Sequence, residues 1–251
     1  MNSNVEEISK LEKMRHSASH VLAQAVLKLY PDVKLGIGPA IDNGFYYDFE
    51  FSEPIEENDL PKIEKEMKEI IKQDLPIKQI FMKRKEAQEY LQKTDQTYKL
   101  ELLEQIPDKE LSFYITGSND FADLCRSPHV ESTKEIGFVK LTKTAGAYWK
   151  GDEKEKMLTR IYGTAFETKE ELKDALTKMQ LAEQRNHRKL GKQLELFAII
   201  PEIGQGLPVW LPRGYKIRRI LEDYMFDLEE EAGYLHILTP HINKEILFKT
   251  S

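Results

Sequence analysis

The sequence contains a single cysteine, Cys125, among its 251 residues. One thiol cannot form an internal disulfide, which favours a reducing compartment, and we therefore expect a cytoplasmic protein. No segment approaches the roughly 18 consecutive apolar residues of a transmembrane helix. The acidic, polar N-terminus MNSNVEEISK is not typical of a signal peptide. Internal repeats and low-complexity tracts are also absent, so the sequence predicts a folded protein with no membrane contact.

Positive charge is not in excess. The 37 lysines and arginines are outnumbered by 43 aspartates and glutamates, which gives a formal net charge of -6. This balance excludes a protein that coats nucleic acid non-specifically, although local basic clusters can still bind phosphate. Hydrophobic residues make up 40% and aromatic residues 10% of the chain, so a packed core is expected rather than disorder.

Helical and strand patterns are mixed in the N-terminal two thirds of the chain. Apolar spacing predicts a helix over 5–30, with Asn4 and Glu7 as a capping box. Asn43-Gly44 is then predicted to form the type I′ turn of a β-hairpin. Aromatic residues alternate with polar ones after this turn, as on a strand with one buried face. Further predicted elements are helices at 59–74 and 85–92, and strands at 77–82, 111–116, 138–141 and 158–164. This mixture predicts the α+β class, with helices packed on a largely antiparallel sheet.

The C-terminal third begins with a helix signal. Thr168 and Glu171 form a capping box for a long, very polar helix over about 169–196, which is typical of a connector between domains. A helix over 215–232 and a strand in LHILTP follow it. So short a segment seldom forms its own core, and it is expected to be the beginning of a larger domain. We therefore divide the chain into a domain over 1–166, a connecting helix over 167–196 and a partial domain over 197–251.

Two pairs of metal-binding or nucleophilic residues share one spacing. His16 and His20 lie four residues apart on the first predicted helix, so both rings project from one face. Cys125 and His129 are also four apart, but Pro128 favours a turn there. These side chains suit a tetrahedral zinc site. They equally suit a metal-free hydrolytic pocket, and a third alternative is that some are ordinary surface histidines.

Two charged residues have less distinctive surroundings. Asp123 precedes Cys125 by two residues, so on an extended segment both side chains face the same way. Its carboxylate could orient an imidazole or bind a substrate ammonium group, or it could be a solvated loop residue. Lys99 lies at the start of a short predicted helix, and its pattern alone indicates a surface lysine.

Several motifs occur in an order that is characteristic of one family. They are HSASHVLAQAV, IGPAIDNGFYYDF, YKLELL, DLCRSPHV, KTAGAYWKGD, LTRIYGTAF and NHRKLGKQLELF. Together they resemble the editing domain and connecting helix of bacterial threonyl-tRNA synthetases. GYKIRRILEDYMFDLEEEAGYLHILTP then resembles motif 1 of class II synthetases. The resemblance implies an α+β editing domain, a long connecting helix and the incomplete start of an antiparallel-sheet catalytic domain.

The resemblance also implies a function. The parent enzyme charges threonine tRNA with threonine using ATP, and its editing site hydrolyses mischarged seryl-tRNA. Editing is needed because one missing methyl group supplies only about 1–3 kcal/mol of discrimination. Matched to the family, His16 and Lys99 position or activate the attacking water, and Asp123 binds the substrate ammonium. The pocket is shaped by His20, Cys125 and His129.

The family implies partners and cofactors as well. The expected partners are the acceptor end of threonine tRNA, a serine ester as substrate, and a second copy of the parent through motif 1. Editing is expected to need no metal, whereas ATP, Mg²⁺ and a catalytic Zn²⁺ are expected only in the full-length parent.

The chain also departs from the family. Motifs 2 and 3 and the anticodon-binding domain are expected beyond Ser251, and Ser127 replaces a glycine common in relatives. The alternatives are a zinc-dependent, stand-alone aminoacyl-tRNA deacylase and a non-catalytic tRNA-binding module.

Overall fold

The computed structural model describes residues 8–118 and 121–249. They form an α+β structure with antiparallel sheets, which confirms the predicted class. The chain divides into two compact units, Met1–Thr177 and Lys178–Ser251. This division falls inside a helix, whereas the divisions at 166 and 196 remain predictions. Among the residues described, no helix is both long and apolar enough to cross a membrane.

The helices and strands are named here in chain order. The helices are α1 (Lys10–Leu29), α2 (Leu60–Lys72), α3 (Arg84–Lys93), α4 (Thr97–Gln105), α5 (Lys169–Gln184), α6 (His187–Gln193), α7 (Pro212–Glu231) and α8 (Glu245–Lys249). The strands are β1 (Lys34–Leu35), β2 (Ala40–Ile41), β3 (Gly44–Glu50), β4 (Ile77–Lys83), β5 (Glu110–Thr116), β6 (Phe121–Leu124), β7 (Phe138–Tyr148), β8 (Met157–Phe166), β9 (Phe197–Ile199) and β10 (Pro208–Trp210).

A five-stranded antiparallel sheet forms the centre of the first unit. Its strands have the order β1-β3-β8-β7, and β2 also pairs with β3. α1 packs on β3 and β8, and α2 packs on β7 and on α1. Phe45, Tyr47 and Phe49 are fully buried, because alternate residues of β3 face this helical layer. The predicted burial of these aromatic residues is therefore confirmed, but Asp48 on the opposite face is also buried and pairs with Arg160 on β8, so the strand does not have one buried face only.

A smaller sheet in the same unit has the order β4-β5-β6 and is also antiparallel. α3 packs on β4 and β5, and α4 packs on α3. Their shared core consists of Ala87, Leu91, Leu103, Leu111 and Phe113. This arrangement places α4 and the end of β6 close to α1. The predicted site residues lie on these elements or directly after β6.

The first helix begins later than its pattern predicts. Within the described residues it starts at Lys10, and Ser9 is its N-cap, because the Ser9 hydroxyl accepts a hydrogen bond from Glu12 N at 3.2 Å. The predicted capping box of Asn4 and Glu7 lies outside the described residues. The helix ends at Leu29, as expected from the following Tyr30-Pro31.

The predicted hairpin is present, but its turn is different. Ile41 pairs with Gly44, so the two-residue loop is Asp42-Asn43 and Gly44 already belongs to β3. Neither loop residue has a positive φ, so the predicted type I′ turn at Asn43-Gly44 is wrong. The glycine is required for another reason: a Cβ at Gly44 would lie 2.1 Å from the carbonyl oxygen of Gly163 on β8.

The second unit contains a short hairpin and α7. β9 and β10 pair antiparallel, and α7 matches the helix predicted over 215–232. The helical segment predicted over 169–196 is divided into α5 and α6, because Asn186 caps α6 by accepting from Arg188 N at 3.0 Å. The strand predicted in LHILTP is wrong, since residues 235–240 join no sheet among the described strands. A strand needs a partner for its backbone groups.

Candidate functional site

The two four-residue spacings meet at one place in the first unit. His16 and His20 occupy one face of α1, and their ring centroids are 5.1 Å apart. The segment after β6 brings Cys125 and His129 against this face. Cys125 Sγ lies 3.6 Å from His16 Nε2 and 3.4 Å from His129 Nε2. The structure therefore brings the four side chains together, and their catalytic role remains a prediction.

The three imidazole rings pack closely and are largely removed from water. The His129 ring centroid is 4.4 Å from that of His16 and 4.2 Å from that of His20. Burial lowers the pKa of all three rings, and the pKa of His16 falls to about 4. The rings are therefore neutral near pH 7, and each can offer a nitrogen lone pair.

The thiol of Cys125 is also held in its neutral form. Burial raises its pKa to about 11, and the nearby carboxylate of Asp123 contributes in the same direction. A neutral thiol is a weak nucleophile, because the thiolate is the reactive species. This side chain is therefore suited to shape and hydrogen-bond the pocket, and it is poorly suited to attack a substrate.

A second polar layer lies beside the imidazoles and is almost completely buried. Asp123 on β6 accepts from Lys99 Nζ at 2.6 Å and from the Tyr47 hydroxyl at 2.6 Å. His20 Nε2 lies 3.7 Å from the same carboxylate. These four residues, His20, Tyr47, Lys99 and Asp123, are each less than 5% exposed. The Lys99 ammonium also lies 5.3 Å from the centroid of the Tyr47 ring, within the range of a cation–π contact.

The position of Lys99 overturns its interpretation as a surface lysine. It does lie at the start of a short helix, α4, but only 3% of the residue is exposed. Buried lysines are rare unless an anion pairs with them. Here the anion is Asp123, on a strand that the local pattern around Lys99 cannot reveal. The family resemblance identified Lys99 as a site residue where its local pattern did not.

The predicted contact of Asp123 with a substrate ammonium remains a prediction. One carboxylate oxygen already binds Lys99 and the other binds Tyr47. Because an ionised carboxylate has about four lone-pair sites, a substrate ammonium could share these oxygens. The structure adds that Asp123 holds Lys99 in place, which is a second role for the same side chain.

Tyr47 is the site residue that the residue pattern did not single out. Its alternation on β3 predicted burial, and it is fully buried. A buried tyrosine hydroxyl needs a hydrogen-bond partner, and this was the available signal. The partner is Asp123, whose carboxylate raises the pKa of Tyr47 further above the value that burial produces. Tyr47 therefore donates its proton to the carboxylate and stays neutral.

The cluster opens to the surface beside His16. A cavity of about 130 Å³ reaches this ring from outside. Its walls come from α1 and the segment just before it, from the start of β2 and the residue that precedes it, and from the CRSPH segment. They are formed by Ile8, Glu12, His16, Pro39, Ala40, Ser127 and Pro128. His16 is thus the imidazole that lies where a small substrate group and a water molecule can enter.

His16, His20, Cys125 and His129 also have the ligand types of a tetrahedral zinc site. Their ligand atoms all lie within 4.8 Å of one another. Tetrahedral zinc with bonds of about 2.0 Å to nitrogen and 2.3 Å to sulfur places its ligands roughly 3.3–3.7 Å apart. The two contacts of Cys125 Sγ, at 3.6 and 3.4 Å, match this spacing. A cation would have to displace the thiol proton of Cys125 first.

Part of the cluster lies in a region that matches a known protein family. Residues 111–162 match the family described as the threonyl and alanyl tRNA synthetase second additional domain. The matched segment includes Asp123, Cys125 and His129, which form the β6 side of the cluster. His16, His20 and Lys99 precede it.

Curated relatives extend the similarity to almost the whole chain. Threonine–tRNA ligase 1 of Bacillus subtilis is 51% identical over 242 residues, which is 96% of this chain and 37% of that protein. The threonine–tRNA ligase of Halalkalibacterium halodurans is 49% identical over 244 residues, with 96% and 38% covered. That of Listeria monocytogenes serotype 4a is 49% identical over 239 residues, with 95% and 37% covered. The chain thus spans just over one third of the length of these relatives. The chain is thus similar to part of the threonine–tRNA ligases, and residues 111–162 match the second additional domain of the threonyl and alanyl tRNA synthetases.

Proposed function

We propose that the cluster around His16 hydrolyses the ester of serine with the terminal adenosine of threonine tRNA. The observation that carries this proposal is that the imidazole cluster opens to a cavity at His16 and has the buried Lys99–Asp123 pair directly beside it. The pocket lies in a chain homologous to part of the threonine–tRNA ligases. Hydrolysis adds water across the ester bond and gives free serine and the tRNA hydroxyl.

His16 is the proposed general base. Its pKa of about 4 keeps the ring unprotonated at neutral pH, and its ring lines the entry cavity. It takes a proton from the attacking water while the water oxygen bonds to the ester carbonyl carbon. Positioned proton-transfer groups contribute roughly 10²–10⁴-fold to such reactions. Lys99 is proposed to position or activate the same water with an N–H that Asp123 does not use.

The other predicted residues form the walls of the proposed pocket. His20, Cys125 and His129 are neutral, closely packed and able to hold a water or the terminal ribose by hydrogen bonds. Asp123 is proposed to attract the substrate ammonium through its shared oxygens. The small cavity beside His16 supports rejection of threonine, since its extra methyl group needs additional volume.

A zinc-dependent aminoacyl-tRNA deacylase is the second candidate, and the spacing of the four ligand atoms favours it. In that case His16, His20, Cys125 and His129 would hold the ion, and one coordination position would have to open for the water that the ion makes more acidic. We favour the metal-free reaction, because the resemblance to threonyl-tRNA synthetases implies it. Both candidates use the same side chains, so metal analysis separates them.

The activity of a whole threonine–tRNA ligase is a further proposal, since the chain matches 37% of such a protein. It comprises ATP-dependent charging of threonine tRNA in the cytoplasm, with Mg²⁺ and a catalytic Zn²⁺ in the full-length parent. The acceptor end of the tRNA is the proposed partner of the cluster. A second copy is proposed to contact motif 1, which is supported by the exposed apolar side chains of α7. A tRNA-binding module without chemistry would lack deacylation.

The test is deacylation of seryl-tRNA and threonyl-tRNA, both made on threonine tRNA, in buffer with a chelator. We expect release of serine and no release of threonine. His16→Ala and Lys99→Ala should each reduce the rate by more than about tenfold, because each removes a group at the reacting water. Lys93→Ala, an exposed lysine at the end of α3, is the matched control. No release of serine by the wild type would overturn the proposal.

Cys125→Ser separates the metal-free site from the zinc site. Serine keeps the size and polarity of the side chain, so the metal-free reaction should retain much of its rate. Loss of a zinc ligand would reduce metal content and activity together. Stoichiometric zinc in the purified protein, with activity abolished by the chelator, would establish the second candidate instead.

A further inference from the structure

Ser17 lies between the two histidines of α1 and is fully buried. Its hydroxyl oxygen has three close neighbours. It lies 2.9 Å from Lys13 O, 3.0 Å from His129 Nδ1 and 3.1 Å from Val130 N. The hydroxyl therefore joins the first helix to the CRSPH segment at His129, and it has one hydrogen and two lone pairs with which to do so.

Only one arrangement of protons satisfies all three contacts. Val130 N–H can only donate, so it uses one lone pair of Ser17 Oγ. Lys13 O can only accept, so it receives the Ser17 hydrogen. His129 Nδ1 must then donate its N–H to the remaining lone pair. If the Ser17 hydrogen pointed at His129 instead, two oxygens would lie 2.9 Å apart with no proton between them.

This arrangement determines the rest of the hydrogen-bond chain. With its proton on Nδ1, the neutral His129 presents a lone pair on Nε2 to Cys125 Sγ, 3.4 Å away. The thiol has one proton, which it donates to that lone pair. The sulfur has two other neighbours. Ser127 O can only accept a proton and lies 3.9 Å away, farther than His129 Nε2, so the thiol proton goes to His129 and the sulfur is left to accept from His16 Nε2 at 3.6 Å. His16 thus carries its proton on Nε2, and its free lone pair is on Nδ1.

We propose that Ser17 is a positioning residue that fixes the tautomer of His129 and, through Cys125, leaves Nδ1 of His16 as the basic nitrogen. The hydrogen-bond assignment is independent of any activity. Its catalytic consequence rests on the proposed function of the cluster. The group that hydrogen-bonds one imidazole nitrogen decides which nitrogen of the ring is available for chemistry.

The tautomers can be observed directly by ¹⁵N NMR of protein labelled in its six histidines, kept free of metal with a chelator. Signals of His129 are assigned from their loss in His129→Gln. We expect the proton of wild-type His129 on Nδ1. A proton on Nε2 in the wild type would overturn the proposal without any variant.

Ser17→Ala removes the acceptor and should move His129 towards the Nε2-protonated tautomer. Ser17→Thr keeps the hydroxyl and should retain the wild-type tautomer. Ser19→Ala is the matched control, because Ser19 is an equally buried serine of the same helix whose hydroxyl lies near His16 O and Gly38 O, both backbone atoms. An unchanged tautomer in Ser17→Ala, or an equal change in Ser19→Ala, would contradict the assignment.

Deacylation kinetics then test the consequence for His16. Ser17→Ala should lower kcat about tenfold with little change in KM, as expected from loss of a group that orients an imidazole, and Ser17→Thr should recover most of it. A normal kcat in Ser17→Ala with a changed tautomer would overturn the catalytic part. If the wild type does not deacylate while its tautomers are as expected, the proposed function fails and the hydrogen-bond assignment stands.

Discussion

α1 and α7 are helices of the same length with opposite surroundings. Each has 20 residues, but α1 buries 11 of them, whereas α7 buries only Gly214. Both carry apolar residues at helical spacing. α1 is covered by the five-stranded sheet and α2, and it also presents the histidines to the CRSPH segment. A helical pattern therefore identifies an apolar face, and other elements decide whether that face is covered.

The cavities of the two units differ in volume and in the chemistry of the residues beside them. The groove on α7 has a volume of about 410 Å³ and is mostly apolar. Its charged residues include Arg218 and Glu222, which are partly exposed and pair with each other at 2.6 Å. The cavity beside His16 is smaller, about 130 Å³, but it leads to three imidazoles and a thiol. Chemistry therefore identifies the candidate site better than cavity volume.

The largest expected effect comes from breaking a buried ion pair. Lys99→Met leaves the carboxylate of Asp123 buried without its cation and should lower the free energy of unfolding of the first unit by about 3–5 kcal/mol. The matched change in α7 is Glu222→Gln, which removes an exposed partner of Arg218 and should cost less than about 1 kcal/mol.

Urea unfolding measures both changes. Fluorescence of Trp149 reports on the first unit in a Trp210→Phe background, and Trp210 reports on the second unit in Trp149→Phe. Asp123→Asn added to Lys99→Met should restore part of the loss, since it removes the unpaired charge. Equal effects of Lys99→Met and Glu222→Gln would show that the two units do not differ in this way.

Removal of apolar side chains gives the next largest contrast. Leu22 on α1 is fully buried, so Leu22→Ala should destabilise the first unit by about 2–5 kcal/mol. Leu221 on α7 is 59% exposed, and Leu221→Ala should change stability by less than about 0.5 kcal/mol. The same fluorescence assays measure both variants. A loss of several kcal/mol in Leu221→Ala that depends on protein concentration would show that a second copy covers α7.

The smallest effect is a change in the pH dependence of stability. Burial lowers the pKa of His129 below its usual 6.5. Below pH 6.5 this imidazole is therefore protonated in the unfolded chain but stays neutral in the folded chain. Stability is therefore present above pH 6.5 and is lost as the pH falls. The slope is about 1.4 kcal/mol per pH unit for each such histidine.

In His129→Gln, the loss of unfolding free energy between pH 6.5 and roughly 5.5 should be smaller by about 1 kcal/mol. The slope, rather than the absolute stability, is compared, because the substitution also removes packing. His187→Gln, on α6 in the second unit, is the control for loss of a histidine outside the buried cluster of the first unit. An unchanged slope in His129→Gln would mean that water reaches this ring in the folded protein.

Local sequence determined the secondary structure well where one element was sufficient. The facing of His16 and His20 follows from the helical repeat alone. The alternation on β3 likewise follows from the pleat of a strand. The turn before β3 did not follow, because Gly44 is required by the close approach of Gly163 on another strand. The strand predicted in LHILTP also failed, since no described strand pairs with it.

Tertiary structure decided the chemistry of the site. Lys99 has the local pattern of a surface residue, and only the folded chain reveals Asp123 beside it. Tyr47 was a buried position in the pattern and Ser17 was not singled out by it, and the fold gives each a polar partner on a distant segment. The physical reason is the separation along the chain of the residues that interact. Helical and strand periodicity are set by neighbouring residues, whereas burial, pKa and proton placement depend on groups that packing brings together from far along the chain.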